Sequence, residues 1–499
     1  MQLCLSSMIE LLRNKVLTFS GSILLSGSVF IFLFTDRFYE AIENGSLWVR
    51  EYFGTFYLWL GLGCVLFLLI IAISKIGRIR LGKSPPEYDR LSWIAMLYSA
   101  GMGAGILLRA VQEPVYMYLN PPIATGSAPE IISLEYTFYQ WGFTAWAFYG
   151  LFALIIGYSL FVEKQDIRLS SSFKVFHSNR WGKSIDILTI LTTVIGLVAA
   201  IGLGTSQIEG GISHLQSKDP GDLLTNLFLV LIICVLAFFS AWAGVNKGIK
   251  RISNWNIYIT ISLLLFVFVL GNIPEIISNF LNSLYHYVFD FIPLSLAGGN
   301  LDPGEQFLTD WTYYYWAFWL AWAPFTGVFI ARISKGRSIR ELIIGVLLIP
   351  SLGSFFWFSV FGTSAFEFIE DAGTYSNEFS NVFTSVFIFF ENYPLPAVSS
   401  LVVILLLISF LVTSVDSAIF VLGMFTDKGN TEPKKKYRLV WAVLIFIFCE
   451  AIIVLGHTKP DSNVLTAMQK FLIISSLPFA ILSVIIVFLF SKKLLQKRN

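Results

Sequence analysis

Charge is scarce in this sequence. Asp, Glu, Lys and Arg make up 13% of its 499 residues, and the net balance is only +2. So thin and even a charge excludes the basic footprint that nucleic-acid binding needs. Histidine and cysteine number four each. His177, His214, His286 and His457 are scattered in or near loops, and no His or carboxylate cluster has metal-ligand spacing. Cys4, Cys64, Cys234 and Cys449 show no metal or redox spacing. Three of them lie in apolar stretches, where cysteine acts as a small hydrophobe. An integral-membrane enzyme therefore finds no catalytic cluster here. A membrane sensor would need an attached soluble domain, and no loop is long enough to be one. No small-residue cleavage site follows the first apolar run, so that run reads as a retained span and not as a signal peptide.

Apolar sequence is what the chain has in excess. It is 56% hydrophobic with a mean hydropathy of +0.72. Repeated apolar runs of about 20 residues predict an all-α polytopic membrane protein. Twelve transmembrane helices are predicted, at about 16–34, 56–74, 93–118, 131–162, 184–213, 223–244, 253–271, 309–331, 341–362, 396–425, 438–456 and 469–490. The loops between them then alternate sides. Of the 34 Lys and Arg, 28 fall on the side of the termini, five on the other, and one, Arg109, inside a span. The positive-inside rule places the rich loops and both termini in the cytoplasm.

Between the seventh and eighth spans, residues 273–308 are long for a loop. Ile273, Ile276, Ile277, Phe280, Leu281, Leu284 and Tyr285 recur at helical spacing, which predicts an amphipathic helix along the outer interface. The basic stretch Arg332–Arg340 reads either as its cytoplasmic counterpart or as a solvated loop.

The most informative stretch is Asp310–Arg340, DWTYYYWAFWLAWAPFTGVFIARISKGRSIR. It is dense in aromatic rings, carries Pro324 and Gly327 at mid-span, and ends in a basic run. Phe318, Trp322 and Phe325 fall close to one helical face, with Trp319 roughly 100° from Phe318. Ring faces carry a negative quadrupole, so several rings around one point attract a cation, quaternary ammonium above all. An interfacial aromatic belt would put such rings at helix ends, not mid-span beside a proline.

The third span, Tyr98 to Tyr118, carries Gly101, Gly103 and Gly105 in its middle. Each Gly costs a helix roughly 1 kcal/mol relative to Ala, so the run reads as unwound or closely approached backbone. Tight helix packing through small residues is the other reading. Both the third and the eighth span thus carry helix-breakers, five spans apart. Transporters built from inverted repeats place broken helices at matching positions and bind substrate between them.

The pattern WTxxYWAxW…W-(A/S)-PFxGxFIARIS(K/R)GR(S/T)IRE in the eighth span, with GMGxG in the third, resembles the signature of the betaine/choline/carnitine transporter family. The resemblance implies a LeuT-like 5+5 inverted repeat. Residues 1–92 would hold two peripheral spans, 93–272 the first repeat, 273–308 the outer helix and loop, 309–490 the second repeat, and 491–499 a short tail, too short for the charged tails of the family's osmosensing members. It implies a secondary transporter of a small quaternary-ammonium solute, working by alternating access within the membrane lipid, with a homotrimer as the default assembly. Trp141, Trp146 and Tyr149 resemble the family's second aromatic group and would complete a cage with Phe318, Trp319, Trp322 and Phe325, against the backbone of Gly101, Gly103 and Gly105. The implied coupling ion is sodium, held by Thr413 and Ser414 after Phe410 and by the backbones of Ser99 and Met102; no organic cofactor is implied. The hydroxyls of Thr413 and Ser414 could instead bond back to their own helix. Gly at 105 goes with sodium-linked betaine carriers, an acidic residue there with proton-linked choline carriers. Choline uptake by proton symport and carnitine-type exchange stay open as alternatives.

Two positions depart from the pattern. Phe318 stands where the family has Trp, a better cation acceptor. Arg109 replaces an aromatic, and a charge at membrane depth costs roughly 3 kcal/mol even on the mild insertion scale. Arg109 either pairs with Glu113 one turn on, or snorkels outward, or meets a substrate carboxylate or replaces a cation. Asp416 reads as structural.

Overall fold

The computed structural model describes residues 10–101, 103–124, 126–177, 180–243, 248–372, 375–458 and 463–496. Among them there is no β-strand, only an isolated antiparallel bridge between Arg80 and Ser338. The helices are α1 (Lys15–Leu33), α2 (Thr35–Ile73), α3 (Arg90–Gly101), α4 (Ala104–Arg109), α5 (Gln112–Leu119), α6 (Pro129–Trp141) and α7 (Phe143–Gly157). There follow α8 (Trp181–Leu215), α9 (Leu223–Ala243), α10 (Gly248–Leu270), α11 (Ile273–Phe289), α12 (Tyr313–Ile333), α13 (Ile339–Ala372), α14 (Pro396–Thr426), α15 (Lys435–Gly456) and α16 (Val464–Gln496).

Among the described residues, ten helical stretches are long and apolar enough to cross a membrane. They leave out the third span, which is divided into α3, α4 and α5, and α10, which turns by 112° into α11. A total of twelve crossings requires counting both.

The breaks have local causes. Gly103 is extended (φ −130°, ψ −171°) and stands immediately before the second piece of the third span, α4. The second break precedes Pro114, which sits in the first turn of α5, where a missing N–H is tolerated. Gly142 separates α6 from α7. A Cβ there would lie 2.5 Å from both the Phe138 carbonyl and the Tyr287 hydroxyl, so only glycine fits.

The eighth span behaves differently from its sequence reading. α12 runs without interruption through Pro324. One proline removes one backbone donor, and a buried helix held on several sides absorbs that loss. Gly327 serves close packing: a Cβ there would lie 2.5 Å from the Phe152 Cβ of α7. The matched pair of broken spans is therefore not what is found; the breaks lie in the third and fourth spans.

The helix at 273–289 is present, but its apolar stripe is divided: Ile276, Phe280 and Leu284 pack inward. Ile276, Asn279, Ser283 and Tyr287 are buried, while Ile273, Ile277, Leu281 and Tyr285 are exposed. The buried face bonds across helices: Asn279 Nδ2 donates to Thr363 Oγ1 at 3.2 Å, and Ser283 Oγ to the Ile131 carbonyl at 3.3 Å. The exposed part of the stripe is left for lipid.

Arg332–Arg340 is neither a surface helix nor a solvated loop. α12 ends at Ile333 and α13 begins at Ile339. The turn between pairs with residues 79–82: Gly336 N–H donates to the Leu81 carbonyl at 2.7 Å, and Leu81 N–H to the Arg337 carbonyl at 2.8 Å. Arg337 is 3% exposed, stacks 4.1 Å over Trp93 and donates to the carbonyls of Tyr88 and Asp89. Arg340 Nε caps α2 through the Ala72 carbonyl at 2.6 Å. Hydrogen bonds from a charged donor contribute about 1.5–3 kcal/mol each. Arg337→Ala is therefore expected to lower thermal stability in detergent by roughly 2 kcal/mol or more. Lys335→Ala, which removes only an exposed pair with Glu87, changes it by less than about 1 kcal/mol.

Candidate functional site

A cavity of about 970 Å³ runs between α4, α7, α12 and α14. Trp141 at the end of α6, Tyr149 of α7, and Phe318, Trp319, Trp322 and Phe325 of α12 all line it, as do Gly103 and Gly105. The rings meet edge to face. Trp141 and Trp319 are 5.1 Å apart at 74°, Tyr149 and Trp319 6.0 Å at 85°, and Trp322 and Phe325 5.6 Å at 70°. Among the described residues, no Lys or Arg stacks on any of these six rings. Their faces are therefore not spent on an internal cation.

Broken backbone fixes the rings. The end of α6 leaves carbonyls without helical donors, and Trp319 Nε1 donates to one of them, Gln140, at 2.9 Å. Gln140 Nε2 in turn donates to Thr312 Oγ1 at 3.1 Å. The freed N–H of Phe143 donates to the Tyr287 hydroxyl at 2.8 Å. The break at Gly142 thus orients an indole from α12 and is held from outside by α11.

Trp146 does not join the cavity wall. It is buried and packs edge-on to Tyr149 at 5.3 Å, behind the ring that does. Five residues past Trp141 but beyond the break, it lies on α7 rather than on a continuation of α6. Gly103 has nothing within 4 Å of a would-be Cβ, so its backbone faces open space, whereas a Cβ at Gly105 would meet the Trp141 ring at 3.4 Å. Gly101 ends α3. Met102 lies outside the described residues, as does the side chain of Ser99.

Phe410, Thr413 and Ser414 of α14 line the same cavity. Thr413 Oγ1 donates back to the carbonyls of Ser409 and Phe410 at 2.9 and 3.0 Å. That uses its proton and leaves its oxygen free to accept. Asp416, one turn on, accepts from Ser240 at 3.0 Å; its second oxygen is buried without a partner, and the residue lines the cavity. Sequence reasoning assigned Asp416 a structural role only, because its neighbours come from other helices.

The cavity is one-sided. Glu87, Tyr88, Arg332, Lys335, Glu432 and Arg438 line its far end, which therefore opens among the basic loops. The opposite end is closed by a buried layer. Glu113 is 0% and Arg109 5% exposed, and their charges lie 3.9 Å apart. Glu113 accepts from Trp141 Nε1 at 3.2 Å and from the Tyr315 hydroxyl. Arg109 also donates to Gln112 Oε1 at 2.6 Å and lies 5.0 Å over the Trp311 ring. Of the options open for Arg109, the structure shows the pair with Glu113. Tyr315 is the member that sequence reasoning passed over, since nothing in its spacing marks it apart from Tyr313 and Tyr314.

Comparison with known proteins identifies the family and the fold. The sequence model of the betaine/carnitine/choline family of transporters matches residues 15–499. The glycine betaine transporter OpuD of Bacillus subtilis is 35% identical over 93% of this chain and 91% of its own. The osmo-dependent choline transporter BetT2 of Acinetobacter baylyi is 31% identical over 94% of this chain and 69% of its own. Among solved structures, MhsT in complex with L-phenylalanine superposes with a TM-score of 0.50 at 14% identity, covering 82% of this chain and 90% of that one. That likeness shows a LeuT-like fold.

The closing layer is electrically asymmetric. Without its ion partner Glu113 keeps two hydrogen-bond donors, while Arg109 keeps Gln112 Oε1 and the Trp311 ring but has no other carboxylate named beside it, and a guanidinium stays charged. Glu113→Leu strands a buried guanidinium, an error that costs about 3–5 kcal/mol. Arg109→Phe leaves Glu113 with its tryptophan and tyrosine donors. The expected outcome in detergent is a much larger fall in melting temperature for Glu113→Leu than for Arg109→Phe; equal falls would contradict it.

Proposed function

The chain belongs to the betaine/carnitine/choline transporter family, and from that premise we propose that it imports a quaternary-ammonium zwitterion of the glycine betaine class by sodium symport. It is a multi-pass membrane transporter and not an enzyme. The observation that carries the choice of substrate class is the set of six rings around one cavity, on none of which a Lys or Arg stacks among the described residues. A methylated ammonium has no N–H to satisfy, so it is stabilised by ring faces alone, by about 2 kcal/mol or more per ring when desolvated. The open backbone at Gly103 can take the carboxylate end of a zwitterion.

Sodium is the co-substrate in this reading. Thr413, Ser414 and the backbones of Phe410, Ser99 and Met102 would supply the handful of oxygens that a hard cation requires. Coupling follows from linkage: if sodium binds better with solute present, solute binds better with sodium by the same factor. With the basic loops in the cytoplasm of a bacterial cell, the cavity opens inward, and the layer at Arg109 and Glu113 seals the outer side. The working assembly is a homotrimer. A neighbouring reading, proton-linked choline uptake, draws on the choline-transporting relative. Gly105 speaks for betaine, because a carboxylate there would supply the negative charge that a zwitterion already carries.

Proteoliposome uptake of labelled betaine, choline and carnitine tests this. Betaine is expected to accumulate only with an inward sodium gradient, and Trp319→Ala to weaken its apparent affinity at least tenfold. Gly105→Asp is expected to raise choline uptake at the expense of betaine. Choline preferred by the unaltered protein under a proton gradient, or uptake driven only by exchange, would overturn the proposal.

A further inference from the structure

Away from the cavity, one acid is buried without an evident reason. Glu135 lies on α6, is 3% exposed, and its Oε1 has no hydrogen-bond partner. A buried carboxylate oxygen left unpaired is costly. Facing it are His286 and Asp290, four residues apart at the end of α11. One ligand atom from each of the three lies within 4.8 Å of the other two. His286 Nδ1 and Asp290 Oδ2 are 3.4 Å apart. That is already the edge of a tetrahedron with arms of about 2.1 Å, the usual zinc–nitrogen and zinc–oxygen length. The side chains of His286 and Asp290 are 36% and 35% exposed, so an ion can reach the site from solvent.

We propose that Glu135, His286 and Asp290 form a divalent transition-metal site of the Zn2+ class that fastens α11 to α6. One imidazole and two carboxylates suit a borderline ion, and water completes the fourth position. Calcium would want six or more oxygens, and magnesium an octahedron of them. The site joins two elements already in register. Ser283 bonds to the Ile131 carbonyl of α6, and Tyr287 accepts from Phe143 just past the Gly142 break. A metal at Glu135 would hold α11 against the helix that carries Trp141. Sequence spacing cannot show this site, because the third ligand comes from a helix far upstream of the other two.

The test is calorimetric titration of the purified, EDTA-treated protein in detergent with Zn2+, with Mg2+ and Ca2+ as controls. The expected result is one Zn2+ per chain, no uptake of the controls, and a Kd raised at least tenfold by His286→Ala and by Glu135→Gln. Zn2+ is also expected to raise the melting temperature of the unaltered protein and not of the variants. Melting in EDTA shows whether each variant is folded, and Glu135→Gln keeps the shape of the side chain. No saturable Zn2+ binding, binding unchanged in both folded variants, or equal binding of Ca2+ would overturn the proposal.

Discussion

Backbone that leaves helical geometry inside a membrane protein must find its hydrogen bonds within the protein, and that constraint sets the place of this site. Lipid offers no donor or acceptor, so irregular backbone survives only where side chains or a polar cavity complete it. The third and fourth spans both break. At Gly142 the completion comes from other helices: Trp319 takes the Gln140 carbonyl and Tyr287 the Phe143 N–H. These bonds do more than repair. An indole tied by its N–H cannot rotate freely, so the ring that centres the cage is oriented by the break itself. At Gly103 the extended backbone faces open space beside the cavity.

Much of this was legible in the chain because membrane burial writes strongly. Apolar runs of span length predicted the helices, and α1, α14 and α15 begin and end within a few residues of their expected bounds. The rings of α12 share the cavity because the helix is regular there, so 3.6-residue spacing places them. The same arithmetic fails once a helix breaks. Trp146 reads as a neighbour of Trp141 until Gly142 redirects the chain and puts it behind Tyr149. Pro324 reads as a break, yet α12 continues, because tertiary packing overrides a local preference worth only a few kcal/mol.

Charge was the least legible feature. A basic loop looks like a solvated one, but Arg337 is buried under Trp93 and bonds two carbonyls. Its partners lie some 250 positions earlier in the chain, and only the fold brings them together. The same holds for Tyr315 on Glu113. Contacts between distant segments leave no period in the sequence, so composition and spacing are silent about them.

The order of charges in the closing layer bears on what the cage can hold. Glu113 bonds to Trp141, a wall of the cage, while Arg109 reaches away toward Gln112 and the ring of Trp311. The carboxylate of the pair is thus bonded to a ring of the cavity wall, and the guanidinium to groups outside the lining. An unpaired guanidinium would oppose any cation held by the rings, by roughly 1.7 kcal/mol for charges 10 Å apart at an effective dielectric of 20. Paired, the two charges largely cancel at such a distance. This chain therefore carries an intramembrane arginine near a ring-lined cavity with its charge matched by Glu113, the member of the pair that bonds to Trp141.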